Sequence, residues 1–160
     1  PIIRRYYELY PEKTKGLILV DGALLPFGKR EDVNKFFEPL FANYTAESAK
    51  FIDGMLETTY PDVKPFIRSS MLATPDYVGI SAMKLMLDDA YSTHGKINVP
   101  LLAVMAPSEY WPKDLEQQYK AIAPKTEFQM WAGVSHFLHM ERPTEFNGQI
   151  KMFVMKNGLL

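Results

Sequence analysis

Two short apolar runs constrain this chain more than anything else in it. Gly16-Leu-Ile-Leu-Val20 is closed by Asp21-Gly22, and Ile97-Asn-Val-Pro-Leu-Leu-Ala-Val-Met105 runs into Ala106-Pro107. Apolar runs this short and this continuous read as strands buried on both faces, the position a strand takes in a parallel sheet covered by helices. Pro100 falls at the start of the second run, where a missing backbone donor is tolerated. A third strand-like run, Thr126 to Trp131, stops at Ala132-Gly133.

Between and around these runs the apolar spacing is helical. Ile2 to Tyr10 carries apolar residues at 2, 3, 6, 9 and 10 before Pro11 ends it. Helix, proline turn, buried strand and terminal acid form the second half of a βαβ unit. From Ala23 to about His94 four helical stretches follow one another: Glu31–Tyr44, Ala46–Tyr60, Asp62–Ala73 and Tyr77–Tyr91. Pro26, Pro61, Pro65 and Pro75 punctuate them, and Asp76 suits an N-cap for the last. Trp111-Pro-Lys-Asp opens a further helix through Leu115, Tyr119 and Ile122. Pro143 opens the closing helix through Phe146, Ile150, Phe153 and Val154, a first-turn position where its missing N–H has no partner to lose.

Composition narrows the chemistry. With 160 residues, 47% of them hydrophobic, the chain is long enough for an ordinary core. A net charge of −1 offers no basic footprint, so neither nucleic acid nor an anionic membrane surface is an expected partner. The absence of cysteine removes disulfides, thiolate nucleophiles and cysteine–zinc sites. No apolar run approaches the roughly 18 residues that cross a bilayer. The compartment is not fixed by the sequence, and a soluble cytoplasmic protein is the expectation. The chain begins at Pro1 and is read as processed, truncated or a fragment.

Gly133-Val-Ser-His136-Phe137-Leu-His139-Met-Glu141-Arg-Pro143-Thr-Glu-Phe146 resembles the catalytic-histidine loop of the α/β-hydrolase fold, which precedes the last helix. Tyr10-Pro-Glu-Lys-Thr-Lys-Gly-Leu-Ile-Leu-Val-Asp-Gly22 resembles the segment that follows the nucleophile helix. Ile97 to Met105 resembles the strand after which an acid completes the triad. The resemblance implies the C-terminal part of such a fold, three parallel strands with helices over 1–25 and 95–160, and an all-helical cap or lid over 26–94. It implies an esterase- or lactonase-like hydrolase for a small, fairly apolar ester, needing no cofactor.

In that fold the chain order is nucleophile, then Asp or Glu, then His. His136 matches the histidine, the residue type that takes a proton from a hydroxyl nucleophile in such a triad. Glu109 is the preferred acid, although Ala106-Pro107 stands where a Gly is usual. Asp21, which also ends a buried strand, is the alternative. Its bland reading is a local Asx turn with Gly22. Phe27, Phe36, Met55, Phe66 and Met71 are expected to include pocket-lining residues on the inner face of the cap, although any one of them fits helix-bundle core better. Trp111 and Phe137 join them near the acid and the histidine. His139 lies three residues after His136, but a two-histidine metal site would want a third ligand and a helix under both residues, and the loop position disfavours it. Asp88-Asp89, adjacent in a helix, point apart and read as surface, and His94 reads as an ordinary loop residue. No metal is expected.

No Gly-x-Ser-x-Gly occurs; none of the serines at 48, 69, 70, 81, 92, 108 and 135 has glycines at that spacing. The expectation is therefore that an N-terminal chain or fragment supplies the elbow serine, and that this chain alone is inactive and exposes a sheet edge. The competing reading is a non-catalytic small-molecule binding module with a hydrolase-like pocket. A free-standing helical scaffold leaves the buried strand runs unexplained.

Overall fold

A computed structural model describes residues 2–25, 30–87 and 95–159. Its order is α1 (Ile2–Leu9), a 3-10 turn (Pro11–Lys13), β1 (Leu17–Val20), α2 (Arg30–Ala42), α3 (Tyr44–Met55), α4 (Lys64–Leu72), α5 (Asp76–Leu87), β2 (Leu101–Met105), α6 (Leu115–Ile122), β3 (Thr126–Met130), α7 (Leu138–Glu141) and α8 (Pro143–Lys156). The chain divides into two compact units, one within residues 25–92 and one formed by 2–24 with 93–160.

The second unit is built on a three-stranded parallel sheet in the order β1-β2-β3. Leu17 pairs with Leu101 and Leu101 with Thr126, so the three strands end level with one another. Side chains alternate across the sheet, as the two-residue period of a strand demands. Leu17, Leu19, Leu101, Ala103 and Met105 meet Leu115 and Tyr119 of α6, with Ile3 and Tyr7 of α1 packed beside them. Leu102 and Val104 face the other way, against Leu138 of α7 and Phe146 and Phe153 of α8. Every residue of β2 is buried, which explains why its sequence is apolar without alternation.

The helical unit has its own core. Phe37, Leu40, Ile52, Leu56 and Ile67 are buried in it. The Asn43 side chain caps α3 by accepting from the Ala46 N–H at 3.2 Å, so this helix starts two residues earlier than its apolar spacing alone indicates. Asp76 is the first residue of α5 rather than its cap. Gly79 in α5 admits the Tyr44 ring, because a Cβ there would collide with the phenol. Pro26, Phe27, Asp88, Asp89 and His94 lie outside the described residues.

Candidate active site

Three level strand ends place three chain segments side by side. Asp21 follows β1, and its N–H still donates to Val104 O at 2.8 Å, which carries the ladder one step beyond the strand. Its backbone then turns into the left-handed region, φ 41°. For a residue with a Cβ this conformation costs about 1–2 kcal/mol, and Asp tolerates it better than most. The turn directs the side chain across the sheet end. Asp21 Oδ1 accepts from the Ala106 N–H at 2.8 Å, and Oδ2 lies 2.7 Å from His136 Nδ1.

The partner of the histidine is therefore Asp21 and not Glu109. Glu109 lies on an exposed turn beyond the end of β2, where the chain has already left the sheet. Asp21 is next to the ladder and its side chain is only 7% exposed. The local Asx-turn reading of Asp21 also gives way, since both oxygens reach segments distant in sequence.

An ionised carboxylate can only accept, so the ring nitrogen facing it carries the proton. In the neutral imidazole Nε2 then holds the free lone pair. The ring is 47% exposed and Phe137 stands edge-on to it, centroids 5.2 Å apart. A ring held by a buried acid at one nitrogen and open at its other side can accept a proton from a hydroxyl.

The surrounding chain fixes this pair from both directions. Trp111 packs against the sheet core and its indole N–H donates to Ala106 O at 3.1 Å, so the Ala106 peptide is held between Trp111 and Asp21. On the other side of Asp21, the Tyr119 hydroxyl donates to Gly22 O and buried Arg4 donates to Leu24 O at 2.7 Å and Gly95 O at 3.1 Å. Burial lowers the Arg4 pKa, against the opposing pull of Glu8. Burial pushes the Tyr119 phenol up to about 12, opposed by a hydrogen bond with the Leu24 backbone and reinforced by the charge of Asp21.

The histidine loop has its own supports. Gly133 takes a φ of 71°, a conformation that favours glycine, and Arg142 donates to Ala132 O at 2.9 Å. Buried Glu141 accepts from both the N–H and the hydroxyl of Ser135. Ser135 and Glu141 both stand in the loop that resembles the catalytic-histidine segment, but the sequence assigns neither a role. The sequence signal was a carboxylate on a short apolar segment near the histidine. His139 stacks obliquely on Phe146, centroids 6.0 Å apart, and its pKa is lowered by burial and by His136, with Glu141 opposing.

The expected pocket residues scatter. Phe36 is 58% exposed and makes edge contacts with Phe37 and Phe51, while Phe66 is 64% exposed. Met55 and Met71 are half-buried within the helical unit. Phe137 stands edge-on to the histidine. Among the described residues no group of three His, Cys, Asp or Glu side chains could hold a metal ion, and no helix is long and apolar enough to cross a membrane.

Solved structures with a similar fold exist. A thermophilic esterase superposes over 95% of this chain with a TM-score of 0.68 at 23% identity. A malate-bound thermophilic esterase from Thermogutta terrifontis covers 98% at a TM-score of 0.75 and 18% identity. The fold is α/β-hydrolase-like. An N-acyl homoserine lactone degrading enzyme covers 96% of the chain with a TM-score of 0.59 and 24% identity. The chain spans 60%, 61% and 63% of the lengths of these three proteins, and so corresponds to part of an α/β-hydrolase-like fold. No protein-family model and no curated protein matches the sequence.

Proposed function

We propose that this chain supplies the acid and the general base of a hydrolase acting on small, fairly apolar esters or lactones. The observation that carries this reading is the 2.7 Å contact between buried Asp21 and half-exposed His136 at the level ends of parallel strands, the place where open α/β sheets set their sites. The esterase and lactone-degrading likenesses agree with that chemistry.

No serine of these 160 residues lies in an elbow motif, so the nucleophile belongs to a polypeptide segment outside them. Its hydroxyl oxygen attacks the ester carbonyl carbon while His136 Nε2 takes the hydroxyl proton. Asp21 holds the ring in the tautomer that permits this and stabilises the imidazolium that results. As the tetrahedral intermediate collapses, the carbon–oxygen bond to the leaving alcohol breaks and Nε2 returns the proton to that alcohol. Water, deprotonated by the same nitrogen, then releases the acid and restores the nucleophile. For the helical unit the proposed role is in substrate choice.

A fluorophosphonate probe, read by intact mass under native and then denaturing conditions, tests this reading on the full protein. Label on a polypeptide segment that binds this chain, lost in His136→Ala, supports the hydrolase. A folded, ligand-competent protein that never takes the label contradicts it and leaves a non-catalytic binding module with a hydrolase-like pocket.

A further inference from the structure

Glu141 is a carboxylate at the end of α7, and it is only 9% exposed. Burying an ionised carboxylate is costly unless its oxygens are satisfied by donors. Here Oε2 accepts from the Ser135 N–H at 2.6 Å and Oε1 from the Ser135 hydroxyl at 2.8 Å. The hydroxyl oxygen in turn accepts from the Phe137 N–H at 3.2 Å. The residue enclosed by these bonds is His136. The N–H of the residue before it, Ser135, is bound directly to Glu141, and that of the residue after it, Phe137, is bound to the Ser135 hydroxyl that Glu141 holds.

We propose that Glu141 is a positioning residue for His136, acting through Ser135, so that the ring is set against Asp21 by the loop before the carboxylate bond selects its tautomer. This rests on the reading of His136 as the general base, but it concerns the ring's geometry and not the identity of the substrate. Removing Glu141 takes away the carboxylate that the Ser135 N–H and the Ser135 hydroxyl both donate to, and the loop loses that tie. The loop then samples other positions and the Asp21–His136 bond becomes one state among several. A hydrogen bond from a ring N–H to a carboxylate depends on distance and direction, so a displaced ring weakens it.

The test is the ring spectrum of His136 by nitrogen–proton NMR on the full protein, read beside the melting temperature and ester hydrolysis. The wild type should show one tautomer with a low-field Nδ1 proton. Glu141→Ala and Ser135→Ala should lose that proton signal and show mixed tautomers. Glu141→Gln, whose amide oxygen can still accept from the Ser135 N–H, should retain it. A folded Glu141→Ala protein with the wild-type ring spectrum overturns the proposal; should that variant not fold, a wild-type spectrum in Ser135→Ala overturns it instead. A protein without ester hydrolysis whose ring still responds to Glu141→Ala keeps the positioning role and rejects only the hydrolase reading.

Discussion

Asp21 and His136, distant in sequence, are joined by a 2.7 Å contact across the ends of the two outer strands of the sheet. The strand between them contributes as well, because the Ala106 N–H occupies the other Asp21 oxygen and prevents the carboxylate from rotating away. Removing the acid should release the ring. In Asp21→Ala the low-field Nδ1 proton of His136 should disappear, and in Glu109→Gln it should remain, since Glu109 sits on an exposed turn. Proton NMR of the two variants checks both outcomes. A surviving signal in Asp21→Ala would show that another group holds the ring.

The backbone leading into the histidine is also open to test. Gly133 has a φ of 71°, and a Cβ placed there would stand 3.4 Å from the Arg142 guanidinium, which itself bonds the Ala132 carbonyl. Gly133→Ala should therefore cost about 1–2 kcal/mol, measured by denaturant unfolding. Gly148, in α8 with open space around its Cβ position, is the control: Gly148→Ala should stabilise by up to about 1 kcal/mol through helix propensity. Equal effects of the same sign at the two positions would contradict the account.

Tyr119 gives a pH signature. Its hydroxyl donates to Gly22 O and the side chain is 1% exposed. Its pKa rises from the ordinary phenol value of 10.0 to about 12. Between those values the unfolded chain loses the phenol proton while the folded chain keeps it, so the unfolded state binds fewer protons and stability falls as pH rises. The loss should reach about 2–3 kcal/mol by pH 12. Tyr119→Phe should be about 1 kcal/mol less stable at neutral pH, because Gly22 O loses its donor, and should lack that share of the alkaline decline. Parallel unfolding curves against pH for both proteins measure the difference.

Much of this architecture was legible in the residues. Leu101 to Met105 is apolar at every position because β2 is covered on both faces. Pro143 does open the last helix, and its fixed φ suits the first turn. The acid was not legible. Asp21 and Glu109 both follow buried strands in sequence, and choosing between them requires the left-handed turn at Asp21 and the level register of three strands. A one-dimensional pattern carries neither. The support from Glu141 was hidden for a similar reason, since a carboxylate near the end of a four-residue helix reads as surface until the fold turns it back on Ser135. Helical spacing located the apolar stripes of α2 to α4, but it does not say which apolar residues stay uncovered. Phe36 and Phe66 turn out to be exposed while Phe37 and Ile67, their sequence neighbours, form the core.

Asp21, not Glu109, holds His136 in the structure, and the proposed hydrolysis makes it the acid that works with that histidine. The most direct measurement is kcat/KM of this chain together with the proposed nucleophile-bearing segment on a short-chain p-nitrophenyl ester. Asp21→Asn should lower it by about 10⁴, the order seen when the carboxylate of such a triad becomes an amide, and Glu109→Gln should change it by less than about threefold, as expected for an exposed side chain away from the site. A Glu109→Gln protein as impaired as Asp21→Asn, or an Asp21→Asn protein with nearly full activity, would contradict the account.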